Sequence, residues 1–245
     1  YENSKYKMYL FYRASAPAFS NNQSELKLIQ TAFFNIKFKN RQQFEEIVRI
    51  GKVIRDFFSF ALSTPVGINK FEFKNYSKSA EKRNKISSNN IAEVTHRDHL
   101  TSKISKIYSR ALLISYDDLS KSRLNVIETW MEKYELLSPV MKLYFDNLYN
   151  ENIYYETGFL NYIFALEVYH KRAINDKKED LKKRLEYLLK KYSRITSKMI
   201  KNRTSFLNKV VGSRNYFVHY NTKIRKQNIL KEKEMFISTL KLKIL

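Results

Sequence analysis

Residues 213–220 read SRNYFVHY and set Arg214, Asn215 and His219 close together among Tyr216, Phe217, Val218 and Tyr220. These three polar types can divide one piece of chemistry between them. Arginine stays charged and presents a fixed fork of donors that matches phosphate. Histidine exchanges a proton near neutrality. Asparagine can orient either one by hydrogen bonds. Such a set suits metal-free cleavage of RNA. A base helps the 2′-OH attack the adjacent phosphorus, a cation stabilises the charge that develops, and an acid protonates the leaving 5′ oxygen.

A helix is the element that must position them. Wound as a helix over 203–220, the segment lines up Phe206, Leu207, Val210, Val211, Phe217 and Val218 on one stripe, and Arg214 falls on that same stripe. Asn215 and His219 are four apart and stack as neighbours one turn apart. Gly212 lies mid-helix, at a cost of about 1 kcal/mol relative to Ala, and suits a second backbone packed close by. An unpaired arginine on a buried stripe is expensive. The expense is offset if the stripe opens into a cleft that holds an anion.

The composition points to the same class of ligand. Among 245 residues, Lys+Arg 46 against Asp+Glu 24 gives a net charge of +22. A field of that size attracts polyanions: nucleic acid first, an anionic membrane surface second, with a merely lysine-rich solvated surface as the plain alternative. Gly 4 and Pro 3 are few for the length and favour helices. Cys 0 excludes disulfides, thiolate nucleophiles and thiolate zinc sites, and fits a reducing cytoplasm. No apolar run approaches the roughly 18 residues of a membrane span, and nothing resembles a secretory signal. The chain begins at Tyr1 without methionine, so its N-terminal region is expected to be incomplete.

The spacing of apolar residues predicts an α+β region over 1–116 and an all-helical region over 117–245, predominantly helical overall. YKMYLFYRA and TAFFNIKFKN alternate as strands, the second with Phe34, Ile36 and Phe38 on one face. A helix follows, with Phe44, Ile47, Val48, Ile54, Phe57, Phe58 and Ala61 near one stripe, and Thr64-Pro65-Val66-Gly67 stops it. NKFEFKNY alternates again. KSAEKRNKISSNN reads as an exposed loop, and KIYSRALLIS as a strand or a linker. In the helical region, Leu124, Ile127, Trp130, Met131, Tyr134 and Leu137 share a face. Ser138-Pro139 has the form of an N-cap followed by proline at the first helical position, so a new helix is expected there. Phe159, Tyr162, Ile163, Leu166, Tyr169 and Ala173 mark another helix. Asp176 and Glu179 resemble a capping box ahead of a seam through Leu181, Leu185, Leu188, Tyr192, Ile195 and Met199. NILKEKEMFISTLKL supplies a last helix.

RNYFVH has the R-N-x-x-x-H form of the motif of HEPN domains. With the preceding FLNYIFALEVYHKR and SFLNKVVGSRNYFVHY, the region 117–245 resembles the ApeA-like branch of that superfamily. More weakly, FFSFALSTPVGINKFEF resembles the α+β region that precedes the domain in ApeA-type proteins. The resemblance implies an all-α HEPN bundle acting as a metal-independent endoribonuclease of prokaryotic anti-phage, abortive-infection or toxin systems. It implies a homodimer that brings two motif helices into one cleft, and a phage-derived trigger or regulatory partner. By the same resemblance Arg214 holds the phosphate, His219 transfers protons or stabilises the phosphate, and Asn215 orients them. Glu167, on an earlier helix, stands where a supporting polar residue is expected. Lys209, Lys223 and Arg225 are the candidate RNA-backbone contacts. No cofactor and no metal is called for. The alternative is a HEPN module without catalysis that binds nucleic acid or protein as a sensor or partner.

Other candidates carry less. His96 and His99 in THRDH have a spacing that suits a metal on a helix but lack a third ligand, so they read as solvated surface. His170 follows the stripe of its helix and reads as packing or a polar edge. KKEDLKKRLEYLLKK reads as a solvated face.

Overall fold

The computed structural model of the chain describes residues 5–15, 29–68, 71–74, 91–94, 112–114, 118, 121, 125–150, 152–220 and 229–242. Within them the elements run β1 (Tyr6–Ser15), β2 (Ile29–Phe38), α1 (Phe44–Leu62), β3 (Phe71–Lys74), β4 (Ile91–Val94), α2 (Asn125–Tyr149), α3 (Tyr155–Ala173), α4 (Leu181–Lys191), α5 (Ser193–Met199), α6 (Arg203–His219) and α7 (Glu232–Leu242). An α+β N-terminal region precedes an all-helical C-terminal region, as the periodicity predicts.

The strands form two separate antiparallel hairpins, β1 with β2 and β3 with β4. In the first, Tyr6 pairs with Phe38 and Met8 with Ile36. The pleat turns Tyr6 and Met8 inward and leaves Lys7 and Lys37 exposed. With Phe34 and Phe38 they cover Ile50, Ile54 and Phe58 of α1, and Ile127 and Met131 of α2. Ile54, Phe57 and Ala61 of the predicted α1 stripe are buried as expected; Ile50 and Val53, not predicted, are inside as well, while Phe44 is 47% exposed. α1 ends at Ser63, whose φ of 52° is left-handed and whose N–H closes on Phe60 and Ser59 carbonyls. A Cβ at Gly51 would sit 2.7 Å from the Phe71 ring, so a larger residue there would force that ring to shift. β4 carries too few residues to announce itself in the sequence. The predicted loop over 78–90 lies outside the described residues.

α2 belongs to both halves. Its first turns close the N-terminal core, and Tyr144 and Phe145 enter the larger core. There α3 is central: Phe159, Ile163 and Leu166 meet Leu185, Leu188 and Leu189 of α4, Leu207 and Val210 of α6, and Met235 and Leu242 of α7. A polar cluster also joins α1 to α2. Asp56, 5% exposed, receives Arg55 Nη2 at 2.7 Å, Tyr149 Oη at 3.1 Å and the Tyr134 hydroxyl. Tyr149 also donates to Ser59 Oγ at 2.8 Å. Burial first, then the carboxylate, raise the Tyr134 phenol above its ordinary pKa, and burial pushes Tyr149 up to about 12. Both stay protonated and donate. The single tryptophan, Trp130, donates from Nε1 to the Val53 carbonyl at 3.0 Å in the same seam.

Three local expectations are corrected. Pro139 starts no new helix but lies inside α2. An interior proline costs about 3 kcal/mol by removing the N–H that would pair with the Glu135 carbonyl; the contacts of α2 with both cores hold the helix continuous, and Arg172 Nη1 of α3 donates to the neighbouring Leu136 carbonyl at 2.9 Å. The cap ahead of α4 is Asp180, not Asp176: its Oδ1 accepts from Lys183 N at 2.9 Å. The seam expected to run from Leu181 to Met199 breaks at Tyr192, between α4 and α5. Thr196 turns back and donates from Oγ1 to the Leu189 carbonyl at 3.0 Å, which satisfies an end that would otherwise be orphaned. Ile195 is left 48% exposed.

Candidate functional site

α6 carries the polar trio and is fixed at several points. Asn202 caps it by accepting from Ser205 N at 2.9 Å. Leu207, Val210 and Ser213 are its buried residues. Ser213 is wholly enclosed: its Oγ donates to the Lys209 carbonyl at 2.8 Å and accepts from Leu230 N at 2.7 Å. The chain leading into α7 is thereby tied to the middle of the motif helix. Lys209 Nζ adds an ion pair to Glu234 Oε1 of α7 at 2.7 Å. That hydrogen bond, with the Lys231 N–H, holds the Glu234 carboxyl below the usual range.

Arg214 leaves α6 at the border of this buried face, so the predicted buried position is half-buried instead. Its side chain is 23% exposed and that of Glu167 on α3 is 32% exposed. The guanidinium lies over the Phe164 ring, with Cζ 5.8 Å from the centroid. Nη1 donates to Asn215 Oδ1 at 3.1 Å. Nη2 stands 3.8 Å from Glu167 Oε2, an ion pair longer than a hydrogen bond. The buried Nε–H meets no acceptor among the described residues. The fork is thus oriented by a ring, an amide and a distant carboxylate; its Nη groups make one hydrogen bond and one long ion pair among the described residues, which leaves Nη donors for an anion.

His219 is placed differently. It is the last residue of α6 and exposed. Five residues of helix rotate it about 140° from Arg214, whereas Asn215 lies on its side of the helix. One chain therefore brings Arg214, Asn215 and Glu167 together and sets His219 apart on the open face. Lys209 is engaged with Glu234. Lys223 and Arg225 lie outside the described residues, as do His96 and His99.

Sequence reasoning missed a buried pair elsewhere. His170, 2% exposed, and Arg184, 4% exposed, meet through Nδ1 and Nη1 at 2.9 Å. Arg184 also donates to the carbonyls of Asn175, Lys177 and Glu179, clamping the α3–α4 connection. Arg184 is therefore not part of a solvated face. Its position three residues after Leu181 and four before Leu188 was the signal. Among the described residues no group of three His, Cys, Asp or Glu side chains could hold a metal ion, and no helix is long and apolar enough to cross a membrane.

Comparison with known families gives two matches that abut this geometry. Residues 160–245, from within α3 through α7, match Apea-like HEPN. Residues 1–130, the hairpins, α1 and the start of α2, match ApeA N-terminal domain 1. Neither the curated proteins nor the solved structures yield a match.

Proposed function

Since the chain belongs to the ApeA family, with ApeA N-terminal domain 1 ahead of an Apea-like HEPN domain, we propose that it is a metal-independent endoribonuclease acting in the cytoplasm in anti-phage defence. The family suggests an anti-phage defence HEPN protein, and HEPN domains commonly dimerise and act on RNA. The helical region from 117 onward is the nuclease part of this reading, and the α+β region over 1–116 gates it.

The observation that carries the reading is the Arg214 fork, oriented but with its Nη donors incompletely satisfied. A phosphate diester is the anion whose oxygens fit such a fork. Held there, the phosphorus is attacked by the neighbouring 2′-OH. Arg214 stabilises the added negative charge, Asn215 holds the guanidinium in plane, and histidine takes the proton of the attacking 2′-OH and delivers one to the leaving 5′ oxygen as the P–O5′ bond breaks. The products are a 2′,3′-cyclic phosphate and a 5′-OH. Because Arg214 and His219 diverge by about 140° around one helix, the site is most economically completed by two copies of α6 about a two-fold axis. His219 of one copy then serves the phosphate held by Arg214 of the other. Lys209 contacts the RNA backbone only by exchanging Glu234 for phosphate; Lys223 and Arg225 extend the basic path.

The test uses the purified chain with RNA in EDTA. Cleavage should persist, leaving cyclic phosphate ends. Arg214→Ala and His219→Ala should each lower the rate about a hundredfold or more, with melting unchanged, and Asn215→Ala about tenfold. Mixed dimers of wild-type and doubly substituted chains should cut well below half the wild-type rate. A folded His219→Ala protein that cuts normally overturns the assignment. A wild-type chain that binds RNA and never cuts it favours the binding-module alternative.

A further inference from the structure

The helix that carries the trio ends in an unusual way. Its C-cap is Tyr220, at φ 46° and ψ 39°, in the left-handed region. Only two non-glycine residues among those described have positive φ, and the other is the small Ser63. Glycine or asparagine takes this conformation at lower cost, and a bulky residue there stands out. The Tyr220 N–H closes the helix on the Tyr216 carbonyl. The ring does not gain shelter from the arrangement: Tyr220 is 72% exposed. Its main ring contact is edge-on, to Tyr216, with centroids 6.1 Å apart and planes at 61°, and Tyr216 is in turn braced against Phe217 at 5.2 Å. The outcome is a propped aromatic side chain beside His219, held outward by a turn its own residue type disfavours. Strain of this kind persists where the position of a side chain matters.

Building on the ribonuclease reading, we propose that Tyr220 is a substrate-binding residue whose ring stacks on an unpaired base flanking the cleaved bond. An aromatic face receives any base, and stacking is the main handle on single-stranded RNA besides its phosphates. Chain adjacency to His219 places the stacked base next to the phosphate on which His219 acts. The ring thereby contributes selection for unpaired RNA: only a phosphate whose neighbouring base is free to stack comes to rest at the trio. The Arg214 fork alone holds any phosphate equally.

The test is a thermodynamic cycle between ring and base. A short single-stranded RNA that the wild-type chain cuts is made inert by one 2′-deoxy nucleotide at the cut. Each base beside the cut is then replaced in turn by an abasic residue, and binding is read by fluorescence anisotropy. With the wild-type chain, one of the two abasic positions should weaken binding about tenfold, within the range of base–aromatic stacking. Tyr220→Gly, which accepts the left-handed backbone, should weaken binding of the intact RNA by a similar factor and lose nothing more at that abasic position. Tyr220→Phe should behave as wild type. Tyr220→Asn, also tolerant of positive φ, repeats the test should the glycine variant melt early. Equal abasic penalties in wild type and both variants, or undiminished binding by both, overturn the stacking role while leaving the nuclease reading intact. A wild-type chain that neither cuts nor binds RNA removes both.

Discussion

Removing the Asp56 carboxylate should loosen the attachment of the N-terminal region to α2 by an amount that can be worked out from its contacts. The side chains of Asp56 and Arg55 are 7% and 14% exposed. Asp56 accepts from Arg55 Nε at 2.9 Å and Nη2 at 2.7 Å, from Tyr149 at 3.1 Å and from Tyr134. Asp56→Ala strips all four. Deleting one partner of a buried pair costs about 3–5 kcal/mol. The lower end applies here, because Tyr149 retains Ser59 at 2.8 Å and Arg55 retains the Tyr149 ring at 5.4 Å. A loss of about 3 kcal/mol corresponds to a fall in Tm of roughly 6–12 °C in a chain of this size. Trp130 is a built-in reporter, since it lies against Phe57 and Phe60 of α1. In urea its emission should change at lower concentration in Asp56→Ala than in wild type, ahead of the loss of helical circular dichroism. Tyr134→Phe should cost about 2 kcal/mol in the wild-type background, as a hydrogen bond to a charged group does, and almost nothing when Asp56 is already alanine. A fall below about 1 kcal/mol for Asp56→Ala, or a Tyr134→Phe cost that is equal in the two backgrounds, would refute the reasoning.

Two further predictions concern the helical region. Burial and then the Arg184 charge hold His170 below its ordinary pKa of 6.5. The unfolded chain therefore takes up a proton that the folded chain resists, and stability should fall as pH drops below 6.5, by at most about 1.4 kcal/mol per pH unit; His170→Gln should flatten that slope in urea midpoints measured from pH 8 to 5, and an unchanged slope counts against it. Ser213→Ala leaves the buried Leu230 N–H without its acceptor at 2.7 Å, which should cost about 1–3 kcal/mol and speed hydrogen exchange at Leu230; exchange as slow as in wild type would mean that the tie is not needed.

What the sequence disclosed, and what it hid, follows from the range of the forces involved. Long stripes such as Phe159, Ile163 and Leu166 announced α3 because burial repeats at the helical period. The trio stood out as a candidate because its residue types are out of place among aromatics. Pro139 misled because its local preference is for a helix start, while the packing that keeps it inside α2 is tertiary, against both the N-terminal and the larger core. Tyr192 hid a break because Ile195 and Met199 continue the apolar spacing, while Thr196 determines the turn by one hydrogen bond. Arg184 was masked by the lysines around it: charge suggested solvent, yet its register matched Leu181, Leu185 and Leu188. The divergence of Arg214 and His219 was in principle legible, since five residues of helix fix it. The neighbours that orient Arg214 were less so, because Phe164 and Glu167 sit on another helix and only tertiary packing delivers them.

Those neighbours make the resting site testable from its acidic side. Glu167 is the only carboxylate that the described residues place in an ion pair with Arg214, and at 3.8 Å it is too far for a strong hydrogen bond. Such a partner has two opposed effects on an incoming phosphate. On the proposed ribonuclease reading, it would align the guanidinium before RNA arrives, which favours the reacting geometry. It also repels the phosphate, since both are anions. Glu167→Gln separates the two effects: the amide keeps the shape and loses the charge. RNA binding should tighten about two- to fivefold, the scale of a partly exposed charge pair, while kcat falls several-fold because Arg214 is less firmly held. The opposite split would mean something else. If binding weakens and kcat is unchanged, Glu167 meets the RNA directly and is no counter-charge to Arg214. If neither moves, the 3.8 Å pair is incidental, and the alignment of Arg214 rests on Asn215 and the Phe164 ring alone.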